Sequence, residues 1–206
     1  MAVFLTGIIY AVITAIGLAS LPSKEAVIAD PYFTLMELLT ILIALLMLVS
    51  VAALHTITPA ADKVYSLLAV VFMALMTGTT CAVHFVVLTI ADHPIMQNLP
   101  GISQWLSFQW PSLVYALDIL AWDLFFPLAL VFLIPVFSRD GKHPTLKWVL
   151  TIAAFLSFLG LLGVVLDNMQ VRNIGILGYA VLSPITFLLV SKRLDQVNAG
   201  PSRTAL

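Results

Sequence analysis

The chain has 206 residues, of which 62% are hydrophobic and 9% are charged, and its mean hydropathy is +1.11. Soluble globular domains are about half apolar and about a quarter charged, so this composition excludes a protein whose whole surface is solvated. A net charge of −1 provides no basic field for nucleic acid, and a single cysteine, Cys81, excludes an intramolecular disulfide framework and a cysteine zinc site.

Six segments are long and apolar enough to cross a bilayer, which requires about 20 mostly apolar residues. In chain order they are 2–21, 33–57, 63–91, 111–137, 146–167 and 174–191. The sequence therefore predicts an all-α integral membrane protein, a single six-helix transmembrane bundle over residues 1–194 with a short cytoplasmic tail, 195–206. No Lys or Arg precedes the first segment, so we interpret it as a retained helix and not as a signal peptide.

Basic residues in short loops predict the orientation, because Lys and Arg are enriched on the cytoplasmic side of membrane proteins. Only Lys24 and Arg172 fall on the side opposite the termini. The other seven share the side of the termini and are Lys63, Arg139, Lys142, Lys147, Lys192, Arg193 and Arg203. We therefore expect a multi-pass protein of the cell membrane with both termini in the cytoplasm.

The longest loop, residues 92–110, then lies outside and carries no Lys or Arg. Within it, Ile102, Trp105 and Leu106 follow the helical spacing i, i+3, i+4. Trp105, Phe108 and Trp110 are residue types that favour the membrane interface. The pattern predicts a short helix lying on the outer membrane surface, either as an aromatic anchor or as a lid over a pocket.

Polar side chains in the third span lie on one face of the predicted helix. The stripe has the spacing i, i+3, i+4, i+7 and consists of Thr77, Thr80, Cys81 and His84. A helix face turned toward lipid would not align its polar groups, so we expect this face to point into the bundle. Cys81 itself is interpreted as a small core residue.

The fourth span carries a second polar cluster. Tyr115, Asp118 and Trp122 share one helical face at i, i+3 and i+7. Asp123 lies roughly 140° farther round the helix than Asp118. We therefore expect the two carboxylates to face different neighbours and not to form a paired-carboxylate dyad.

Depth in the membrane relates these clusters to each other. Because a helix rises 1.5 Å per residue, His84 and Asp118 each lie roughly 10 Å below the outer boundary. Glu37 lies one turn inside the outer end of the second span, Asp167 lies at the outer end of the fifth, and Asp123 lies nearer the middle. The first and last spans carry no charge and are expected to serve packing only.

This convergence predicts a polar pocket between spans two, three, four and five that opens outward, since ionisable groups inside a bilayer are functional candidates. Its expected lining residues are Glu37, Thr77, Thr80, His84, Tyr115, Asp118, Trp122, Asp123 and Asp167. No metal site and no cofactor are predicted.

The same residues are also compatible with a structural network. His84 would then pair with Asp118, and Glu37 or Asp167 with Arg172, as interhelical bonds worth about 0.6 kcal/mol each. Ser157, Gly160 and Gly163 of the fifth span form a small-residue face that predicts close helix packing.

Three functions remain open on the sequence. The first is binding or transport of a small solute, cation or proton, with the acidic residues as sites and His84 as a titrating partner. The second is an intramembrane enzyme for a lipid or other apolar substrate, with His84 and Asp118 as its acid–base pair. The third is a structural or regulatory subunit of a membrane complex. The expected partners are the lipid bilayer, a small-molecule, ion or lipid ligand, and a second copy of the chain, but not nucleic acid.

Overall fold

The computed structural model describes residues 1–23, 26–91, 93–138 and 143–198, and in these ranges all secondary structure is helical. Six of the described helices are long and apolar enough to cross a membrane, which identifies the chain as a multi-pass membrane protein and confirms the predicted helical bundle. They are α1 (Ala2–Ala19), α2 (Tyr32–Ile57), α3 (Ala60–Ala91), α4 (Leu113–Ser138), α5 (Pro144–Val165) and α6 (Met169–Val197).

The helices pack in chain order, and the ring is closed by contacts of α6 with α1 and α2. One end of the bundle, here the distal end, is where α1, α3 and α5 finish and α2, α4 and α6 begin. The opposite, terminal end holds the start of α1 and the finish of α6. Both ends therefore carry connections between helices, but only the distal end carries the long segment between α3 and α4.

The largest difference from the sequence prediction concerns α6. The sequence predicts that the sixth span is the shortest and uncharged, but α6 has 29 residues and includes Arg172 in its first turn. Asn168 caps this helix, because its side-chain Oδ1 accepts a hydrogen bond from the backbone N–H of Gln170 at 3.0 Å. This cap starts the helix before the apolar run begins, which a hydropathy pattern does not register.

The fifth span also ends earlier than predicted. α5 finishes at Val165, so Asp167 lies in the turn to α6 and not in a span. Asp167 adopts the left-handed conformation with φ of 48°, which Asp tolerates better than most residues. The turn is short, and α5 and α6 consequently run close together.

An apolar core fills the bundle toward the terminal end. Its largest fully buried side chains include Phe126, Leu130, Leu133, Leu150 and Phe187. α1 contributes least to this core, since Val3 and Gly17 are its only buried residues. The many exposed Leu, Ile and Val side chains on the outer faces of the helices match a surface that is covered by lipid.

The segment between α3 and α4 crosses the distal end. The sequence predicts one short helix here, but the structure has two four-residue helices, Pro94–Gln97 and Ser103–Leu106. Leu106 and Phe108 pack against a small cluster formed by Val83, Val87 and Val114. The segment is therefore anchored to the bundle through its second half, while Trp105 remains 57% exposed.

Candidate functional site

A chain of charged side chains links four helices near the distal end, and we call it the charge network. It consists of Glu37 on α2, His84 on α3, Asp118 and Asp123 on α4, and Arg172 on α6. Every member except Asp118 exposes less than a tenth of its side chain, and Asp118 exposes 13%. Buried charges of this kind are stable only when they are paired.

Arg172 lies at the centre of the acidic residues. Its Nη2 lies 3.2 Å from Asp118 Oδ2, and its Nε lies 3.1 Å from Asp123 Oδ2. The guanidinium carbon also lies 5.1 Å from the centre of the Tyr115 ring and 5.6 Å from that of Tyr179. The planar guanidinium therefore pairs with one oxygen of each of two carboxylates and gains cation–π contacts on its faces.

The pairing of Asp118 and Asp123 with one guanidinium corrects the expectation that they face different neighbours. The backbone from Leu120 to Phe125 is π-helical, not α-helical. A π-helix closes its hydrogen bonds between residues i and i+5, which is the spacing of these two aspartates. The wider turn brings both carboxylates within reach of Arg172, and the 3.6-residue repeat assumed from the sequence does not hold here.

His84 lies between two carboxylates. Its Nδ1 lies 2.6 Å from Glu37 Oε2, a hydrogen bond that joins α3 to α2. On the other side, Nε2 lies 3.6 Å from Asp118 Oδ1, which is beyond a normal hydrogen bond. An ionised Glu37 carboxylate accepts this hydrogen bond from the Nδ1–H group, which leaves Nε2 as the ring atom for other chemistry.

Asp123 is completely buried where α4, α5 and α6 meet. A Cβ atom at Gly160 of α5 or at Gly175 of α6 would overlap its Oδ1 atom. The carboxyl group therefore occupies space that only glycine leaves free on both neighbouring helices. Ser157 and Gly163 of α5 likewise touch α6, at Gly178 and Arg172, which confirms the predicted close packing of the small-residue face.

A cavity of about 750 Å³ opens beside the charge network at the distal end. Glu37, His84, Asp118 and Arg172 form its polar floor. The volume lies within the range of roughly 300–1,000 Å³ that is typical of small-molecule sites. We call this space the distal cavity.

Apolar and aromatic side chains form most of the wall of the distal cavity. Phe108 covers His84 with a ring-to-ring distance of 5.4 Å, and Tyr115 meets Phe108 edge to face at 6.4 Å. The remaining apolar and aromatic wall residues come from α1 to α3 and from the connections at the distal end: Tyr10, Val27, Ile28, Ala29, Phe33, Met36, Val87, Ala91, Ile102 and Leu106. The cavity is thus amphipathic, with a charged floor and a mostly apolar wall whose polar members are Asp30, Gln97, Ser107 and Gln109.

The helices around the cavity differ from those predicted. α1 contributes Tyr10 and α6 contributes Arg172, whereas none of the residues that line the cavity belongs to α5. The sequence predicts that the first and last helices serve packing only. Instead, the closed ring of helices brings them next to α2, and α5 lies behind α4 and α6 at Asp123.

Three predicted lining residues lie elsewhere and have packing roles. Thr77 donates a hydrogen bond to the backbone oxygen of Ala44 at 3.0 Å and thereby joins α3 to α2. Thr80 lies 3.5 Å from the sulfur of Met76 on its own helix. Trp122 packs against the rings of Tyr179 and Phe126 at 5.4 and 5.8 Å.

Asp167 is also separate from the charge network. Its Oδ1 accepts a hydrogen bond from the indole Nε1 of Trp110 at 2.7 Å. This bond ties the residues before α4 to the turn between α5 and α6. Neither Asp167 nor Glu37 pairs with Arg172, so both of those predicted pairs are replaced by others.

Tyr10 and Tyr179 do not follow from sequence reasoning, whereas Arg172 and Phe108 are predicted in other roles, as a partner of Glu37 or Asp167 and as an interfacial residue. Hydropathy places Arg172 in a loop, although an arginine only a few residues before an apolar run is compatible with a helix whose first turn is buried. The sequence does contain one signal for a buried arginine. The second to fourth spans hold more acids than bases, and acids buried in a membrane need a cationic partner. The aromatic residues give no comparable signal.

No protein family, curated protein or solved structure matches this chain.

Proposed function

We propose that this membrane protein binds a small solute in the distal cavity, and that the charge network recognises the polar part of that solute. The observation that carries the proposal is the position of Glu37, His84, Asp118 and Arg172 at the floor of an amphipathic space. Convergent polar groups at the base of a largely apolar pocket are the usual arrangement of a ligand site.

The charges also support a binding role over a purely structural one. A network that only joined helices would gain most from complete pairing, because unpaired polar atoms in a dry interior are costly. Here His84 Nε2 is buried, lies 3.6 Å from Asp118 Oδ1 and has no hydrogen-bond partner at normal distance among the described residues. A solute group in the cavity would supply such a partner.

The terminal half of the bundle supports one-sided access. Leu130, Leu133, Leu150 and Phe187 fill the region between the distal cavity and the terminal end. A continuous pore would need polar groups along the full length of several helices. The apolar core agrees better with a solute that enters and binds from one side of the membrane than with a continuous pore.

Basic residues support a distal cavity that opens to the outside of the cell membrane. Arg172 is buried in the bundle, so it no longer belongs to the loops whose charges predict orientation. Of the two basic residues counted against cytoplasmic termini, only Lys24 then remains, against seven on the side of the termini. We therefore place the termini inside and the cavity outside.

Equilibrium binding from a complex mixture tests the proposal with no candidate solute chosen in advance. Protein in lipid nanodiscs is dialysed against a whole-cell small-molecule extract, and bound compounds are identified by mass spectrometry. We expect at least one compound to be enriched on the wild-type protein and lost from both His84→Ala and Asp118→Ala. Identical profiles for wild type, variants and empty nanodiscs would overturn the proposal.

An intramembrane enzyme is the second candidate, and the geometry of His84 is the observation that favours it. Glu37 holds Nδ1, which leaves Nε2 as a general base next to Asp118 and the cavity. The amphipathic cavity would then take a lipid or other apolar substrate. In the same dialysis experiment, an enzyme would convert the enriched compound with time, whereas a binding protein would leave its mass unchanged.

A further inference from the structure

We propose that the distal cavity selects a solute with a single positive charge on an apolar body, such as a lipophilic amine. This inference rests on the proposed solute binding and specifies the chemical class of the solute. Three observations carry it: the charge balance of the network, the atoms that face the cavity, and the composition of the wall.

The charge network holds more acids than bases. Glu37, Asp118 and Asp123 contribute three carboxylates, against the guanidinium of Arg172 and the imidazole of His84. With all three carboxylates ionised, the formal charge of these five groups is −1 when His84 is protonated and −2 when it is neutral. A cation in the cavity would compensate this excess in a region where charge is poorly screened.

Groups of both signs line the floor of the cavity, but a carboxylate oxygen is less fully engaged there than the guanidinium. Arg172 directs Nε at Asp123, Nη2 at Asp118 and Nη1 at the Tyr115 hydroxyl, so each of its three nitrogens already has an acceptor. Asp118 Oδ1 lies 3.6 Å from His84 Nε2, which is beyond a normal hydrogen bond. An anionic solute would have to compete with Asp118 and Asp123 for the guanidinium, but an ammonium group can donate to Asp118 without disturbing these ion pairs.

The wall of the cavity suits an organic cation better than a metal ion. Within the described ranges, no group of three or more His, Cys, Asp or Glu side chains is arranged to hold a metal. Phe33, Ile102, Leu106 and Phe108 present apolar surface above the floor. The ring of Phe108 lies 5.4 Å from that of His84 at the charged floor, where its face can stabilise an ammonium group.

A matched series of small probes tests the sign of the charge. The probes are 4-phenylbutylammonium, 4-phenylbutan-1-ol and 4-phenylbutanoate, which share one apolar body and differ in the terminal group. Binding to nanodisc-embedded protein is measured by equilibrium dialysis, with empty nanodiscs as the blank. We expect the ammonium probe to bind roughly tenfold or more tightly than the alcohol, as a charge-assisted hydrogen bond implies, and the carboxylate to bind least.

Variants test which carboxylate is responsible for binding the ammonium probe. Asp118→Asn should reduce binding of the ammonium probe toward that of the alcohol and leave alcohol binding unchanged. Glu37→Gln provides a second test if Asp118→Asn does not fold. Asp195→Asn removes the same charge near the terminal end and should leave the binding of all three probes unaltered.

The outcomes separate this inference from the proposed function. Equal binding of the ammonium and alcohol probes would overturn selection for a cation but would leave solute binding standing. Tightest binding of 4-phenylbutanoate, or ammonium binding that neither Asp118→Asn nor Glu37→Gln weakens, would likewise overturn it. If no probe binds above the blank, the inference fails, and the dialysis against cell extract decides separately whether the cavity binds any solute.

Discussion

Arg172 and Asp123 form a buried ion pair between α6 and α4, in which Nε lies 3.1 Å from Oδ2. The two residues are 49 positions apart in the chain. Asp123 reaches Arg172 across a surface of α5 and α6 that lacks side chains at Gly160 and Gly175. The ion pair thus fixes α6 against α4, and it also orients the guanidinium that holds Asp118 at the floor of the distal cavity.

Removing the guanidinium should destabilise the bundle more than removing the whole pair. We expect Arg172→Met to lower the free energy of unfolding by about 3–5 kcal/mol, because it leaves two carboxylates buried without a cation. The double variant Arg172→Met/Asp123→Leu should recover part of this loss. Unfolding of the purified protein by titration with sodium dodecyl sulfate measures both effects, and Lys192→Met, on the exposed end of α6, is the control. Strictly additive losses for the two substitutions would contradict a coupled pair.

Glycine at position 160 should be required for packing, whereas glycine at position 78 should not. A Cβ at Gly160 overlaps Asp123, so Gly160→Ala is expected to cost about 1–3 kcal/mol through forced shifts in a packed core. A Cβ at Gly78 meets no atom within 4 Å, and Gly78→Ala should be neutral or stabilise α3 by up to about 1 kcal/mol through helix propensity. Thermal unfolding of both variants in the same detergent compares them. A Gly160→Ala protein as stable as Gly78→Ala would show that Asp123 does not occupy this space.

The hydrogen bond from Trp110 to Asp167 should restrain the segment that covers the distal cavity. Trp110→Phe removes the donor but keeps an aromatic ring, and we expect a loss of about 0.5–1.5 kcal/mol. Hydrogen exchange followed by mass spectrometry should show faster exchange in peptides that span residues 103–110. Trp105→Phe, at a 57% exposed position, is the matched control and should leave this exchange unchanged. Equal exchange in both variants would argue against a restraining role.

Cysteine labelling tests the orientation of the bundle. Cys81→Ser provides a background without thiols, since the chain has one cysteine. With cytoplasmic termini, a membrane-impermeant maleimide added to intact cells should label Ser103→Cys but not Gly141→Cys, and lysis should make the second accessible. Labelling of Gly141→Cys alone in intact cells would reverse the orientation, and the distal cavity would then face the cytoplasm.

Much of the architecture follows from the sequence because hydropathy is a local property. A run of about 20 apolar residues has one low-energy environment, a helix across a bilayer, whatever its neighbours are. The regular rise of a helix then predicts similar depths for Glu37, His84 and Asp118, and the structure brings these three side chains together. Depth along a helix axis can be counted from sequence without knowing which helices touch.

Contacts between helices determine which of them surround the cavity and where the positive charge lies. Hydropathy excludes an arginine from a span, yet Arg172 lies inside the bundle because two carboxylates and the Tyr115 ring of α4, with the Tyr179 ring of its own helix, offset its desolvation. Likewise, the π-helical turn that lets Asp118 and Asp123 share this guanidinium leaves no periodic pattern of its own. A six-helix membrane bundle with acidic residues near one end therefore follows from local patterns in the chain. The pairing of those acids does not, because it depends on side chains that are distant in sequence and meet only after the helices pack.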